Sequence, residues 1–195
     1  MTALCRRIGP ARISIARERE PYEALVRAIT HQQLHGRAAE LILGRFMDLC
    51  PDMPFPTPRA VLDLDAAMMR GCGLSGGKVL AIRDIALHAH EGLIPTRRQA
   101  ARMDDETLIE RLTPIRGVGR WTVEMMLIFT LGRRDVLPID DFGVREGYRL
   151  LHGLAVQPTP KSLGATGAAW APYRSTATWY PWRAADEGKT VSQPA

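Results

Sequence analysis

Two short segments carry the residue types best suited to chemistry. In LTPIRGVGRW, residues 112–121, Gly117 and Gly119 flank Val118 directly ahead of an apolar, helix-forming run. Glycines at such a turn allow positive φ and the close approach of another chain. The helix that follows exposes unpaired N–H groups at its start. Turn and helix start together make a nest for an anion such as a nucleic-acid phosphate. An ordinary tight helix–helix turn shows the same short pattern, so the glycines alone leave both readings open. In VLPIDDFGVREG, residues 136–147, Asp140 and Asp141 stand side by side. Either can cap a helix that begins FGVREGYRLL, and capping is the ordinary role of an aspartate at such a place.

The elements that must position these segments read as helices. PYEALVRAITHQQL opens with Pro21 and sets Tyr22, Leu25, Val26 and Ile29 on one face. Gly36 marks a break before RAAELILGRFMDL, and PDMPFPTP is a loop by its prolines. Asp65 can cap AAMMRGC, and Ser75 can cap a longer helix closed by Gly92. Asp104 or Asp105 opens ETLIERL, with Leu112 and Ile115 placed to bury the base of the glycine turn. One helix is expected from about Gly119 to Leu131 and another from near Asp140 to Gly153. Near the C-terminus, Tyr173, Ala177 and Tyr180 share a helical face, and Pro181 is expected to kink or end that helix. Strand-like alternation is scarce and no repeat is visible. The reading is an all-α protein of two helical lobes. Residues 1–20 form an N-terminal segment, 21–185 the folded domain and 186–195 a disordered tail.

Composition sets the outer bounds. The chain has 195 residues, 46% of them hydrophobic, which suffices for a core. Lys plus Arg is 26 against 21 for Asp plus Glu, a net charge of +5 that leans toward a polyanionic partner without establishing one. Cys5, Cys50 and Cys72 are scattered and odd in number, which argues against a disulfide framework or a zinc site and fits a reducing compartment. No apolar run is long enough to span a bilayer, and MTALCRRIGP lacks the apolar core of a signal peptide. A cytoplasmic, nucleoid-associated protein is the expectation.

Taken together, the motifs carry a resemblance. L-x-x-I-x-G-V-G-x-W-T resembles the helix-hairpin-helix motif of DNA repair glycosylases, and L-P-x-D-D resembles the loop that carries their catalytic aspartate. AITHQQLHGRAAE is similar to the family's first helix pair, GLSGGKVLAIRDIA to its G-L-S-x-x-K helix, and PYRSTATWYPWR to its C-terminal signature. These matches in order, from about Tyr22 to Trp182, are far more specific than any one of them. The chain thus resembles the helix-hairpin-helix DNA glycosylase superfamily, in its alkylated-base branch, DNA-3-methyladenine glycosylase II. The resemblance implies a helix-hairpin-helix motif and an active-site cleft between the two lobes.

It also implies roles. Asp141 would be the catalytic carboxylate and Asp140 the structural one. Trp121, Trp182, Met125 and Phe142 would line the base pocket, although relatives often have tyrosines where Met125 and Phe142 stand. Trp121 occupies the position of the lysine nucleophile of bifunctional members, so no Schiff base forms there. Gly117, Val118 and Gly119 would grip the DNA backbone. Leu34 or His35 would fill the gap left by a flipped base, with Gln33 beside the remaining base. Backbone carbonyls of Thr113, Ile115 and Val118 would hold a structural Na+ or K+. Some members carry an iron–sulfur cluster on clustered C-terminal cysteines; here no cysteine follows Cys72.

The implied chemistry is base excision. Breaking an N-glycosidic bond builds positive charge on the sugar, which a carboxylate stabilises. An alkylated purine is already cationic and leaves as a neutral base, so one essential carboxylate suffices. The expected protein is a monomeric, monofunctional glycosylase acting on double-stranded DNA with alkylated bases, without a membrane partner. Two other readings are a non-catalytic helix-hairpin-helix binding module and a glycosylase for a deaminated or oxidised base. The aspartate of LPIDD argues against the first. The mainly apolar pocket candidates argue against the second, because neutral lesions need hydrogen bonds to the leaving base.

Overall fold

Short polar side chains and prolines set where the helices begin. The structure, a computed structural model, describes residues 6–34 and 36–191, with side chains as far as Gly188 at the C-terminal end. Among the described residues every regular element is helical, as the pattern predicts. The helices are α1 (Pro21–His31), α2 (Gly36–Met47), α3 (Pro58–Asp63), α4 (Ala66–Gly71), α5 (Gly76–His90) and α6 (Arg97–Ala100). They continue with α7 (Asp105–Leu112), α8 (Arg120–Met126), α9 (Phe142–His152), α10 (Pro160–Gly167) and α11 (Arg174–Val191). Asp65 accepts the Ala67 N–H, Ser75 the Lys78 N–H and Asp104 the Thr107 N–H. Each such cap is worth about 1 kcal/mol. The helix expected to run as one piece to Leu131 changes character: α8 ends at Met126, and Leu127–Leu131 follows as a π-helical turn closed by Gly132 at φ +73°.

The chain divides into two compact units. The first is Arg17–Met126. Its core is the apolar stripe of α1 packed on α5 and α2. Leu25, Val26, Ile29, Phe46, Ile82 and Ile85 are all buried there. Tyr22, expected on that stripe, is half-buried because its hydroxyl reaches the Pro56 carbonyl at 3.1 Å. Leu108 and Leu112 of α7 are fully buried, and Ile115 and Val118 seal the underside of the glycine turn. The apolar floor expected beneath the hairpin is therefore present.

Among the described residues, the second unit joins 6–16 to 127–191. The stretch read as a separate N-terminal segment is part of this unit as far as Ala16. The Ala16 N–H donates to the Phe129 carbonyl at 2.8 Å, and the Tyr180 hydroxyl donates to the Gly9 carbonyl at 3.2 Å. Here α9 packs along α11 at very close range. A Cβ on Gly147 would overlap the Pro181 carbonyl. Three expectations change in this unit. Of the two outcomes expected at Pro181, an end does not occur: helix α11 runs on to Val191, and Gly147 of α9 leaves room for the proline carbonyl. Residues 186–191, read as tail, are thus helical. Tyr173, placed on the helical face, precedes the helix and is exposed, with the Arg134 guanidinium over its ring. The start of α11 is pinned instead by Ser175, whose hydroxyl accepts the Val136 N–H at 3.0 Å and donates to the Arg133 carbonyl at 2.8 Å.

Candidate active site

Asp141 is the residue that the sequence assigns to chemistry, and the second unit holds it firmly. It is 8% exposed and stands immediately before α9. Its Oδ1 accepts the Val144 N–H at 2.7 Å, which makes Asp141 the N-cap of α9. The same oxygen accepts the Trp182 Nε1–H at 2.9 Å. This corrects the expected division of labour. Asp140, given the structural role, is exposed, whereas Asp141 combines the cap with the candidate chemistry. The reason is geometric: only the residue directly before Phe142 can reach the N3 amide of Val144.

Trp182 reaches Asp141 because α11 continues through Pro181. Its indole lies against Phe129, ring centroids 5.5 Å apart, so its N–H is aimed rather than swinging. Sequence reasoning gave Trp182 a place in the base pocket and missed its bond to the carboxylate. The signal available was the W-Y-P-W cluster of residues 179–182, but nothing in that pattern tells a wall from a hydrogen-bond donor. Phe142, next to Asp141, is 66% exposed. Gly143 keeps the corner open, since a Cβ there would lie 3.1 Å from Trp182 Cδ1 and 3.2 Å from Asp141 Oδ1. Asp141, Phe142 and Trp182 thus stand together in one unit.

In the first unit, Trp121 and Met125 lie one turn apart on α8. Trp121 is largely exposed and Met125 half-buried. The hairpin before them turns on Gly117, φ +78°, with the Val118 N–H donating to the Ile115 carbonyl at 3.0 Å. Gly119 has an ordinary φ and open space where a Cβ would stand. The two glycines therefore serve different ends: Gly117 makes the turn, and Gly119 leaves room beside it. The Arg116 N–H is held by Asp84 of α5 at 2.7 Å.

The turn after α1 carries the wedge candidates. Gln33 is in the left-handed region, φ +57°, unusual for a residue with a side chain. Gln33 and Leu34 are exposed, and the Leu34 N–H donates to the His31 carbonyl at 3.3 Å. His35 lies outside the described residues. Two neighbours escaped sequence reasoning. Gln32 donates from Nε2 to the Gly117 carbonyl at 3.2 Å, with Thr122 Oγ1 at 3.5 Å. Lys78 Nζ donates to the carbonyls of Thr30 and Gln32, both at 2.8 Å. Burial draws the Lys78 pKa down from its ordinary value.

A chain whose described regular elements are all helical, with a glycine hairpin and, one helix further on, a buried capping aspartate, has the make-up of a helix-hairpin-helix DNA repair protein. It belongs to the HhH-GPD superfamily of base excision DNA repair proteins, whose model matches residues 26–172. It is 48% identical to DNA-3-methyladenine glycosylase 1 of Schizosaccharomyces pombe over 166 residues, 85% of this chain and 73% of the relative. The solved structure of the Schizosaccharomyces pombe enzyme Mag1 in complex with abasic DNA superposes with a TM-score of 0.88 at 45% identity, covering 93% of this chain and 89% of that one. A DNA-3-methyladenine glycosidase from Bacillus halodurans gives 0.79 at 33% identity, covering 91% and 81%.

Proposed function

We propose that this chain is a monofunctional DNA glycosylase that flips alkylated purines of the 3-methyladenine type out of duplex DNA and hydrolyses their N-glycosidic bond. The observation that carries the reading is Asp141, a buried carboxylate with one oxygen fixed by both the Val144 N–H and the Trp182 indole. A backbone amide and a ring N–H on one oxygen orient the group, which is what electrostatic stabilisation of a transition state requires. As the bond breaks, its electron pair leaves with the cationic purine, which departs neutral. Positive charge then resides on the sugar, where Asp141 stabilises it. Water adds at the anomeric carbon and gives up a proton, leaving an abasic site.

The other roles follow the family resemblance. Trp121 stacks on the electron-poor base, and Met125, Phe142 and Trp182 are the other candidates for base contact. Gly117, Val118 and Gly119 take the DNA backbone, and Leu34 or His35 fills the vacated stack beside Gln33. The carbonyls of Thr113, Ile115 and Val118 supply neutral, hard oxygens at one tight turn, a donor set that suits Na+ or K+ better than a transition metal. The Ile115 oxygen already accepts the Val118 N–H and keeps a second lone pair for such an ion. The protein acts as a monomer on nucleoid DNA in the cytoplasm. Among the described residues no helix is long and apolar enough to cross a membrane.

Mass analysis of bases released from methylated DNA tests the reading. The expected product is free methylated purine. The duplex should be nicked on a denaturing gel only after alkali, and borohydride should trap no protein–DNA adduct, because an indole forms no imine. Efficient trapping by the wild-type protein would remove it from the monofunctional class.

A further inference from the structure

The wedge turn is built as if its position matters. Helix α1 ends in carbonyl groups that have no intrahelical partners, and such groups need donors. The Gln32 N–H takes those of Ala28 and Ile29, at 3.1 and 3.3 Å. His31 Nδ1 lies 2.8 Å from the Arg27 carbonyl, and its Nε2 lies 2.9 Å from Glu40 on α2. The carbonyls of Thr30 and Gln32 go to a single ammonium, Lys78, arriving from the first turn of α5. A cation at a helix C-terminus also suits the helix dipole. The next residue, Gln33, is held at φ +57°. A strained backbone persists only where its surroundings over-determine it. Lys78 fixes the main chain leading into that strain, and the side chain of the same Gln32 ties it to the Gly117 carbonyl. Helix α5 reaches the hairpin as well, through Asp84 and the Arg116 N–H. Wedge turn and hairpin therefore hang on the same helix.

We infer that Lys78 is a positioning residue for base flipping: with Gln32 it locks the Gln33–Leu34 turn to the hairpin, so that gripping the backbone and filling the vacated stack occur as one rigid motion. The inference rests on the glycosylase reading. It requires Lys78 to matter when a paired, stacked base must be replaced and to matter little when the stack is already broken.

The test compares two duplexes that carry the same methylated purine, one with a normal opposite base and one with a stable abasic analogue opposite. Single-turnover base release is measured for the wild type, Lys78→Met, Lys78→Arg and Gln32→Ala. Lys78→Met should lose on the order of tenfold to a hundredfold on the paired duplex, the scale of a small misplacement. It should lose less than about threefold on the opened duplex, where little unstacking remains to be driven. Lys78→Arg, which keeps the charge and at least two donors, should recover most of the loss. Gln32→Ala should repeat the pattern more weakly, and it covers the case in which Lys78→Met does not fold. Equal losses on both duplexes, or no loss on either, would overturn the inference. A wild-type protein that releases no base from either duplex would instead remove the glycosylase reading, and this inference with it.

Discussion

Asp141 and Leu34 are fixed in opposite ways. Asp141 is 8% exposed, and its own carboxylate oxygen is gripped by two donors. Leu34 is 40% exposed, and the chain just before it is gripped, through carbonyls held by Lys78. The contrast fits the role proposed for each. A group that acts through charge needs a fixed atom, since an angstrom of drift weakens its effect on a developing cation. A group that enters another molecule needs a fixed root and an open tip. The first demand produces side-chain hydrogen bonds in the interior, and the second produces backbone hydrogen bonds beneath an exposed apolar residue.

The sharpest way to break this comparison is Asp141→Asn. An asparagine carbonyl still accepts from Val144 and Trp182, and asparagine caps helices as well as aspartate does. Fold and DNA affinity should persist, while base release should fall by roughly a thousandfold or more. Asp141→Ala should lose activity equally, and in addition about 1 kcal/mol for the cap and more for the orphaned Trp182 N–H, read as a lower unfolding midpoint. Asp140→Asn, on the exposed neighbour, should change either quantity little. Full activity in Asp141→Asn, or equal loss in both asparagine variants, would end the assignment.

Trp182→Phe asks whether the indole serves the carboxylate or the base. Phenylalanine can still lie against Phe129 but cannot donate to Oδ1. If aiming Asp141 is the main role, kcat falls about tenfold with KM nearly unchanged. A raised KM with kcat kept would return Trp182 to the pocket wall alone.

These residues also mark how far the sequence could be read. The helices were legible because caps and glycines punctuate them: Asp65, Ser75 and Asp104 start helices where their side chains can reach a free N–H. The path of α11 was not, because the close approach of Pro181 to Gly147 joins residues far apart in sequence. Asp141 was legible as a motif, yet its cap and its indole partner depend on a tertiary approach that no spacing encodes. Lys78 stood inside a recognised helix motif, but an ammonium that binds backbone carbonyls leaves no trace in the side chains it serves. Local rules reach the elements; what aims the site depends on contacts between elements.

The smallest effect expected here separates the two glycines of the hairpin. Gly117 is at φ +78°, and a Cβ there would stand 3.0 Å from the Ala81 Cβ and 3.3 Å from Ile29 Cδ1. Gly117→Ala should therefore act first on the fold, costing about 1–2 kcal/mol for the left-handed backbone and lowering the unfolding midpoint. Gly119 has an ordinary φ and nothing within 4 Å of an added Cβ. Gly119→Ala should leave stability within about 1 kcal/mol, the range of a change at a helix start. Its methyl group would instead occupy the space proposed for a DNA backbone. Affinity should then fall by roughly threefold to tenfold on damaged and undamaged duplex alike, since phosphate contacts carry no base information. Titration by fluorescence anisotropy, beside thermal unfolding of both variants, reads the two effects separately. If Gly119→Ala binds both duplexes as tightly as the wild type while remaining folded, the open space at Gly119 is not where the backbone lies.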